Sequence, residues 1–255
     1  MAQRARASYS CDMSHSDPFI QRYRETASAY AKPSVTVDLV VGTVRDDTLH
    51  VLLIRRGEAP FQGAWALPGG FVRVGDTFDD QGEGLEDAAR RELHEETGLD
   101  LQHAWLEQVG AFGAPHRDPR MRIISVAYTA LLRPSLADQV RAGSDASDAR
   151  WFPIAGLPDL AFDHADILTA AQTHLRRRLD SSAIAFELVS EAFTVGDLRA
   201  VWSAVLGEVQ DPGNFRRRFR RMCTDGVIEA SGGIRPTSTK PAKLYRFAGD
   251  VRGMG

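Results

Sequence analysis

The apolar residues of the first half of the chain follow the pattern of β-strands. Residues 34–44 form a long β-branched run, and residues 50–55 (HVLLIR) form a second apolar run after a polar turn. Two such runs around a turn predict neighbouring strands. Residues 108–112 and 122–131 predict two further strands, so this half of the chain is expected to build a sheet.

Helical spacing appears between and after these strands. Residues 17–30 predict a short helix, and residues 157–179 predict a second one, with apolar side chains near helical period from Ile167 to Leu179. Between them, Leu85, Ala88 and Leu93 mark one apolar helix face, and Gly98 stands where a C-terminal glycine is expected. The strands and helices therefore alternate, as in an α+β protein.

Three glutamates lie beside that apolar face. Glu92, Glu95 and Glu96 are spaced i, i+3 and i+4, which brings three carboxylates onto one side of a helix. Like charges so close repel each other, and a magnesium or manganese ion (Mg2+ or Mn2+) would remove the conflict. Such a fragment alone is more often a solvated helix surface.

The surrounding residues make the fragment more specific. The chain reads Pro-Gly-Gly at 68–70, a glutamate at Glu83, and then Arg-Glu-Leu-His-Glu-Glu-Thr-Gly-Leu at 91–99. This set resembles the signature of the Nudix hydrolases. The resemblance implies a Nudix α/β/α sandwich with a mixed sheet, covering residues 17–180 with a connecting helix, after a disordered tail at 1–16.

The resemblance also implies roles for individual residues. Metal ions that orient water against a diphosphate would be held by Glu83, Glu92, Glu95 and Glu96, with Arg91 orienting a carboxylate among the catalytic residues. Substrate contacts are expected from Gly69, Gly70, Arg55 and Arg56.

One segment departs from the signature. Residues 75–80 and 82–87 read as two copies of one sequence, offset by seven positions, so Gly70 lies seven residues too far upstream of Glu83. Seven residues is about two helical turns, so the extra copy could lengthen the helix at its start or form a longer loop. The departure leaves hydrolysis an open question.

Other polar residues are weaker candidates. The loop at 113–120, with the strand after it, resembles the ADP-ribose-type branch of the Nudix family. His116 is a candidate general base, although a lone loop histidine is more often a bystander. Residues 143–153 resemble the segment before the last Nudix strand, which makes Asp145 and Asp148 candidate helpers. For the pair at 163–164 (Asp-His), a structural role is favoured over a catalytic one.

Charge divides the chain. The formal net charge is −3, but residues 1–183 carry 20 Lys+Arg against 26 Asp+Glu, while residues 184–255 carry 11 against 8. The second part is therefore the place to look for an anionic partner. Two distant cysteines and the lack of a long apolar run favour a cytoplasmic protein without a membrane segment.

The basic C-terminal part has its own pattern. A capping box at 194–197 opens an amphipathic helix, and a second helix at 211–225 buries aromatic positions while five arginines cover the rest. Two short strands, 227–230 and 242–247, with a connecting loop at 231–241, complete a winged helix-turn-helix at 184–248. A helix of this kind fits the DNA major groove. The expected DNA-binding residues are Asn214, Arg216, Arg217, Arg220, Arg235 and Lys240. The alternative is that the arginines only keep a packed helix in solution.

The two parts together resemble the Nudix-related transcriptional regulators of NAD metabolism. That resemblance implies a homodimer that binds a double-stranded DNA operator and an ADP-ribose-like nucleotide. Two alternatives stay open: a metal-dependent hydrolase of the ADP-ribose pyrophosphatase type with an accessory C-terminal domain, and an inactive Nudix scaffold that binds proteins.

Overall fold

The computed structural model describes residues 22, 26, 31–75, 80–98, 105–140, 146–179, 184–237 and 240–248. The helix expected at 17–30 lies outside this part of the chain except for Arg22 and Thr26, and so do the tail expected at 1–16 and residues 181–183, which separate the two expected domains.

The longer predicted elements of the described residues appear in the expected order, whereas the short strands Trp65–Ala66 and Gly69–Phe71 and the short helix Pro134–Ala137 were not predicted. The strands are β1 (Ser34–Arg45), β2 (Thr48–Arg56), β3 (Trp65–Ala66), β4 (Gly69–Phe71), β5 (Trp105–Phe112), β6 (Ile123–Leu131), β7 (Ala146–Pro153), β8 (Ile228–Arg235) and β9 (Ala242–Phe247). The helices are α1 (Leu85–Thr97), α2 (Pro134–Ala137), α3 (His164–Arg178), α4 (Ile184–Glu187), α5 (Val195–Leu206) and α6 (Pro212–Thr224).

Strands β1 to β7 form one mixed sheet between two helices. The order is β3-β2-β1-β6-β5, with β4 paired to β1 and β7 paired to β2; only the β1–β6 pair is parallel. Alternation along β1 sends Val37 and Leu39 toward α1, while Val40 points to α3 on the opposite face. The α/β/α sandwich with a mixed sheet is therefore confirmed. Residues 146–153, expected to precede the last strand, are themselves a strand, because β2 offers them an open edge.

The repeated segment leads into the signature helix through a loop. Helix α1 begins only at Leu85, with Gly84 as its N-cap, and the described residues 80–83 are not helical. The Glu83 backbone N–H donates to the Arg73 carbonyl at 3.1 Å, and the Arg73 backbone N–H donates to the Glu83 side chain at 2.8 Å. These two bonds hold Glu83 beside Arg73, just before the helix. Residues 80–84 therefore do not extend α1 at its start, and residues 76–79 of the repeat lie outside the described part of the chain.

The C-terminal part has the winged helix topology. The capping box is present: Thr194 Oγ1 accepts from the Asp197 backbone N–H at 3.1 Å, and Asp197 Oδ2 accepts from the Thr194 N–H at 2.9 Å. The expected boundary of the first wing strand is wrong, because β8 continues to Arg235. A bulge between Ala230 and Ile234 lets the chain resume its pairing with β9.

A single apolar cluster joins the winged helix to the sandwich. Leu131 of β6 and Leu175 and Leu179 from the end of α3 belong to the same buried cluster as Phe193 and Trp202. Polar contacts follow the same boundary: Arg176 Nε donates to the Val205 carbonyl at 3.3 Å, and Arg133 pairs with Glu191 at 3.0 Å. The two parts are therefore packed against each other and share a core.

No helix in the described ranges has both the length and the apolar composition needed to cross a bilayer.

The shared core predicts a large effect of one substitution. Phe193 is fully buried and stacks on Phe247 at a centroid distance of 4.9 Å. Phe193→Ala should lower the free energy of unfolding by about 3–5 kcal/mol, since it leaves a cavity between α5 and the wing. Urea unfolding measures the change. Val209→Ala is the control, because Val209 is 88% exposed and should shift stability by less than about 0.5 kcal/mol. A loss of similar size in both variants would contradict the shared core.

Candidate functional site

A cavity of about 790 Å³ opens on the sandwich beside strand β4. One wall carries the carboxylates of α1, and the opposite wall carries arginines and aromatic rings. Gly69 and Gly70 lie between the two walls, while Asp38 and His164 line the floor.

Arg91 holds the carboxylate wall together. Its guanidinium donates to both Glu83 oxygens, with Nε at 2.9 Å and Nη2 at 2.5 Å. Its Nη1 donates to Glu92 at 2.5 Å and to Glu95 at 3.0 Å, and Nη2 also donates to the Phe71 carbonyl at 3.0 Å. One planar cation thus bridges three signature glutamates, which offsets the repulsion expected from their spacing.

The electrostatics follow from these contacts. The hydrogen bond from Arg91 lowers the pKa of Glu83 to about 2, and the same pair raises the pKa of Arg91 above its usual range. Burial raises the pKa of Glu92 despite its contact with Arg91. Glu83 is therefore a fixed anion, whereas burial disfavours the charged form of Glu92.

The glycines allow strand β4 to run directly against this wall. Glu96 accepts a hydrogen bond from the Gly69 backbone N–H at 2.8 Å. A Cβ on Gly70 would lie 2.5 Å from the Glu92 carboxylate, and one on Gly69 would lie 2.2 Å from the Val37 carbonyl oxygen. Any side chain at these positions would displace the carboxylates or the strand.

The donor chemistry of the wall fits a hard divalent cation. Four carboxylates, Glu83, Glu92, Glu95 and Glu96, face two guanidiniums, since Arg73 also pairs with Glu95 at 3.0 Å. The wall therefore carries more carboxylates than the two guanidiniums paired with it, and oxygen ligands suit magnesium or manganese. Within the described residues, however, no three acidic, histidine or cysteine side chains are arranged to hold an ion. Arg91 lies among the carboxylates, so a cation would have to displace some of its contacts.

The floor of the cavity is an ion-pair network that the sequence did not reveal. Arg117 donates to both oxygens of Asp163, at 2.8 and 2.5 Å, and to Asp38 at 3.3 Å. Asp38 also accepts from Ser125 Oγ at 2.5 Å. A charged residue inside the apolar run of β1 was the available signal, because a buried carboxylate needs a partner.

His164 lies beside this network as a neutral ring. Burial lowers its pKa, and its Nδ1 accepts the Leu67 backbone N–H at 2.9 Å. Asp163 and His164 therefore fasten the start of α3 to β1 and to the loop before β4. These contacts agree with the structural role favoured from the sequence.

The opposite wall combines positive charge with aromatic rings. Arg120 donates to Asp118 through Nε at 3.0 Å and Nη2 at 2.7 Å. The Arg56 guanidinium lies 4.9 Å from the Phe162 ring centroid. Burial, followed by repulsion from Arg120, lowers the pKa of Arg56. Two neighbouring arginines thus repel each other in the cavity, and an anion between them would stabilise both.

Several sequence candidates lie away from the cavity lining. Side chains alternate along β2, so Arg56 faces the cavity and Arg55 points away from it. Arg55 donates to the Gly63 carbonyl at 3.0 Å. His116 is exposed, and Asp148 pairs with Arg150 at 2.6 Å; neither lines the cavity. Asp145 lies outside the described residues.

Helix α6 presents the expected arginine surface. Asp211 caps the helix by accepting the Asn214 backbone N–H at 2.8 Å. Phe215 and Phe219 are buried beneath it. The five arginines at 216, 217, 218, 220 and 221 are all exposed. Their charged ends therefore reach solvent and make this face of α6 positive, although the Arg218 guanidinium also lies 5.7 Å from the Trp202 ring centroid.

The two wing residues differ from each other. Lys240 is exposed beside the tip of the hairpin. Arg235 pairs with Asp197 at 2.6 Å and donates to the Ala192 carbonyl at 3.0 Å. It ties the wing to the start of α5, so DNA contact by Arg235 would compete with this internal pair.

Known proteins share both halves of this arrangement. Residues 35–171 match the family model of the NUDIX domain, and residues 185–247 match the model of the NrtR DNA-binding winged helix domain. The ADPR responsive transcriptional repressor NtrR of Acinetobacter baylyi is 35% identical over 237 residues, which is 93% of this chain and 90% of the repressor.

A solved structure and a hydrolase extend the likeness. The crystal structure of Shewanella oneidensis NrtR complexed with a 27mer DNA superposes with a TM-score of 0.69 at 33% identity, over 84% of this chain and 93% of that one. The ADP-ribose pyrophosphatase of Methanocaldococcus jannaschii is 38% identical over 149 residues, which is 58% of this chain and 76% of that protein.

The fold and these matches define a Nudix domain joined to a winged helix DNA-binding domain. The chain belongs to the Nudix family, among the transcriptional regulators of the NrtR type.

The Arg91–Glu83 pair predicts a pH dependence of stability. The pKa of Glu83 is lowered to about 2 in the folded protein, below its unfolded value of about 4.3. Its contribution to stability is therefore complete above pH ~4.3 and is lost as the pH falls toward 2.

Urea unfolding of wild type and Glu83→Gln between pH 2 and 7 measures this contribution. The stability difference should be constant at neutral pH and should vanish near pH 2. Glu86→Gln is the control, because Glu86 forms only an exposed pair with Arg90. A Glu83→Gln difference that persists unchanged at pH 2 would contradict the assignment.

Proposed function

We propose that this protein is a homodimeric transcriptional regulator whose Nudix domain binds ADP-ribose and whose winged helix binds operator DNA. One observation supports it above all. Helix α3 lines the cavity between the carboxylate and arginine walls at its start, and its end packs in the core of the arginine-covered winged helix. A relative named as an ADPR responsive repressor supports the choice of ligand. Two copies are proposed because an operator with two-fold symmetry presents two half-sites.

The two walls match the parts of a nucleoside diphosphate sugar. The mutual repulsion of Arg56 and Arg120 would be relieved by a diphosphate, and the carboxylate wall would hold it through Mg2+ or Mn2+. Bound there, the ion would neutralise phosphate charge and orient water. Glu92, Glu95 and Glu96 are its proposed ligands, with Glu83 supporting them through Arg91.

Helix α3 provides a physical route from ligand to DNA. Its first residues hold the cavity floor through Arg117 and Asp38, and its last residues, Leu175 and Leu179, pack in the shared core. A ligand that draws Arg117 away from Asp163 would change how α3 is fixed, and therefore how the winged helix is held. Ligand and DNA must then alter each other's affinity by the same factor.

A second candidate function is hydrolysis of the same ligand. Arg91, Glu92, Glu95 and Glu96 line the cavity, and Glu83 is bonded to Arg91 beside it. The relative named ADP-ribose pyrophosphatase supports this activity. Regulator and hydrolase are compatible, because turnover would remove the bound effector.

Hydrolysis is tested by magnesium-dependent release of AMP from ADP-ribose. We expect turnover with Mg2+ or Mn2+, none with EDTA, and none for Glu96→Gln, which keeps the shape but removes a ligand charge. Calorimetric titration of the same variant with ADP-ribose separates binding from chemistry. Binding without turnover in the wild type would overturn the hydrolase and leave the regulator.

DNA binding is tested by gel shift with the DNA upstream of the chain's own gene. Arg216→Ala/Arg217→Ala should lose most of the affinity. The slope of log K against log salt should become shallower by about one for each phosphate contact removed. Arg150→Ala is the control, because Arg150 is an equally exposed arginine on the sandwich. Equal losses in both variants, or a salt-independent affinity, would contradict the proposed interface.

A further inference from the structure

Helix α3 turns one face away from the sheet. The residues of this face are spaced i, i+4, i+7 and i+11, which places them in one row along the helix: Asp166, Ala170, Thr173 and Arg177. All four line a depression of about 390 Å³ between α3 and β5, which is the outermost strand on this side of the sheet. We call this row the outer face of α3.

The two charged residues of the outer face have no partner among the residues that the structure describes. Asp166 and Arg177 are both exposed, and neither forms an ion pair or a side-chain hydrogen bond there. They are too far apart to pair with each other, because eleven residues of helix separate them by about 16 Å. Another cation of the same helix does have a partner, since Arg178 Nε lies 3.1 Å from Glu107. The two ends of the outer face therefore carry opposite charges that are open to an external partner.

The centre of the outer face can be covered without leaving a hydroxyl unpaired. Thr173 Oγ1 donates to the Thr169 carbonyl at 3.0 Å, and Thr169 Oγ1 donates to the Ala165 carbonyl at 2.8 Å. A buried hydroxyl is costly only when it lacks a hydrogen-bond partner. Ala170 completes a surface of small side chains, so a second helix can approach closely.

The order of the charges makes this face complementary to itself. In an antiparallel pair of α3 helices, a two-fold axis midway between Ala170 and Thr173 sets Ala170 of one copy against Thr173 of the other. The same axis sets Asp166 against Arg177, because both pairs of residues are centred on the same point of the helix. A two-fold interface requires such a patch, since each subunit contributes the same surface.

We propose that two copies of this chain dimerise through the outer face of α3, packed antiparallel, with Asp166 of each copy paired to Arg177 of the other. This inference rests on the proposed function, because it names the surface that forms the homodimer. Helix α3 also lines the cavity at its start and packs in the winged helix core at its end. A movement of α3 would therefore change the distance between the two winged helices, which must match the spacing of the half-sites.

Charge reversal tests the pairing. Asp166→Arg places two positive charges at each contact, and Arg177→Asp places two negative charges there. Each variant should weaken dimerisation roughly 10-fold or more, measured by sedimentation velocity over a series of protein concentrations. Asp159→Arg is the matched control, because Asp159 is an exposed aspartate that does not line the depression. Its dimerisation should equal that of the wild type.

Mixing the two variants separates lost pairing from misfolding. In a heterodimer of Asp166→Arg with Arg177→Asp, both contacts again join opposite charges. The equimolar mixture should therefore recover most of the wild-type dimer affinity, although each variant alone is weakened. The chain that carries both substitutions should recover it as well.

Each outcome decides the proposal. Single variants that dimerise as tightly as the wild type would place the contact elsewhere, and a mixture that recovers nothing would exclude the antiparallel ion pairs. Either result overturns the interface while the proposed function stands. A wild-type chain that stays monomeric in solution and binds operator DNA as one copy overturns the proposed homodimer, and the interface with it.

Discussion

The cavity depends on how four carboxylates are kept close together. Glu92, Glu95 and Glu96 share one face of α1, and Glu83 joins them from the loop before it. In isolation their repulsion would unwind or splay that end of the helix. Arg91 stabilises the group by bonding three of them with one guanidinium, while the Gly69 N–H satisfies Glu96. A divalent cation would therefore have to displace contacts of Arg91, and the carboxylates would have to rearrange to ligate it.

The same constraint explains why the signature tolerates a duplication. A longer helix start would have rotated or moved Glu83 relative to Arg91. The backbone of Arg73 instead pairs with Glu83, which keeps this glutamate within reach of Arg91. The cost of lengthening a loop grows only slowly with its length, whereas loss of a charged partner in a half-buried site is expensive.

Ligand and DNA surfaces are connected through packing. Helix α3 is fixed at its start by Arg117 and at its end by the core it shares with α5 and the wing. Close-packed interiors transmit displacements, because they hold few voids in which a shift could be absorbed. A regulator of this design needs no flexible linker to carry its signal, since the element that lines the cavity floor is itself part of the interface with the winged helix.

The sequence by itself determined the elements, the signature and the class of protein. Local spacing was enough for β1, the face of α1, the capping box at Thr194 and the arginine surface of α6, because each depends on neighbours within a few residues. Only the tertiary structure decided which residues meet across the chain. These contacts include those of Arg117 with Asp38 and Asp163, of Phe71 and Phe162 with Arg120, and of Arg235 with Asp197. The direction of the Arg55 side chain, away from the cavity, was decided in the same way. No periodicity encodes such contacts, because they arise from the register of the strands and the docking of α3.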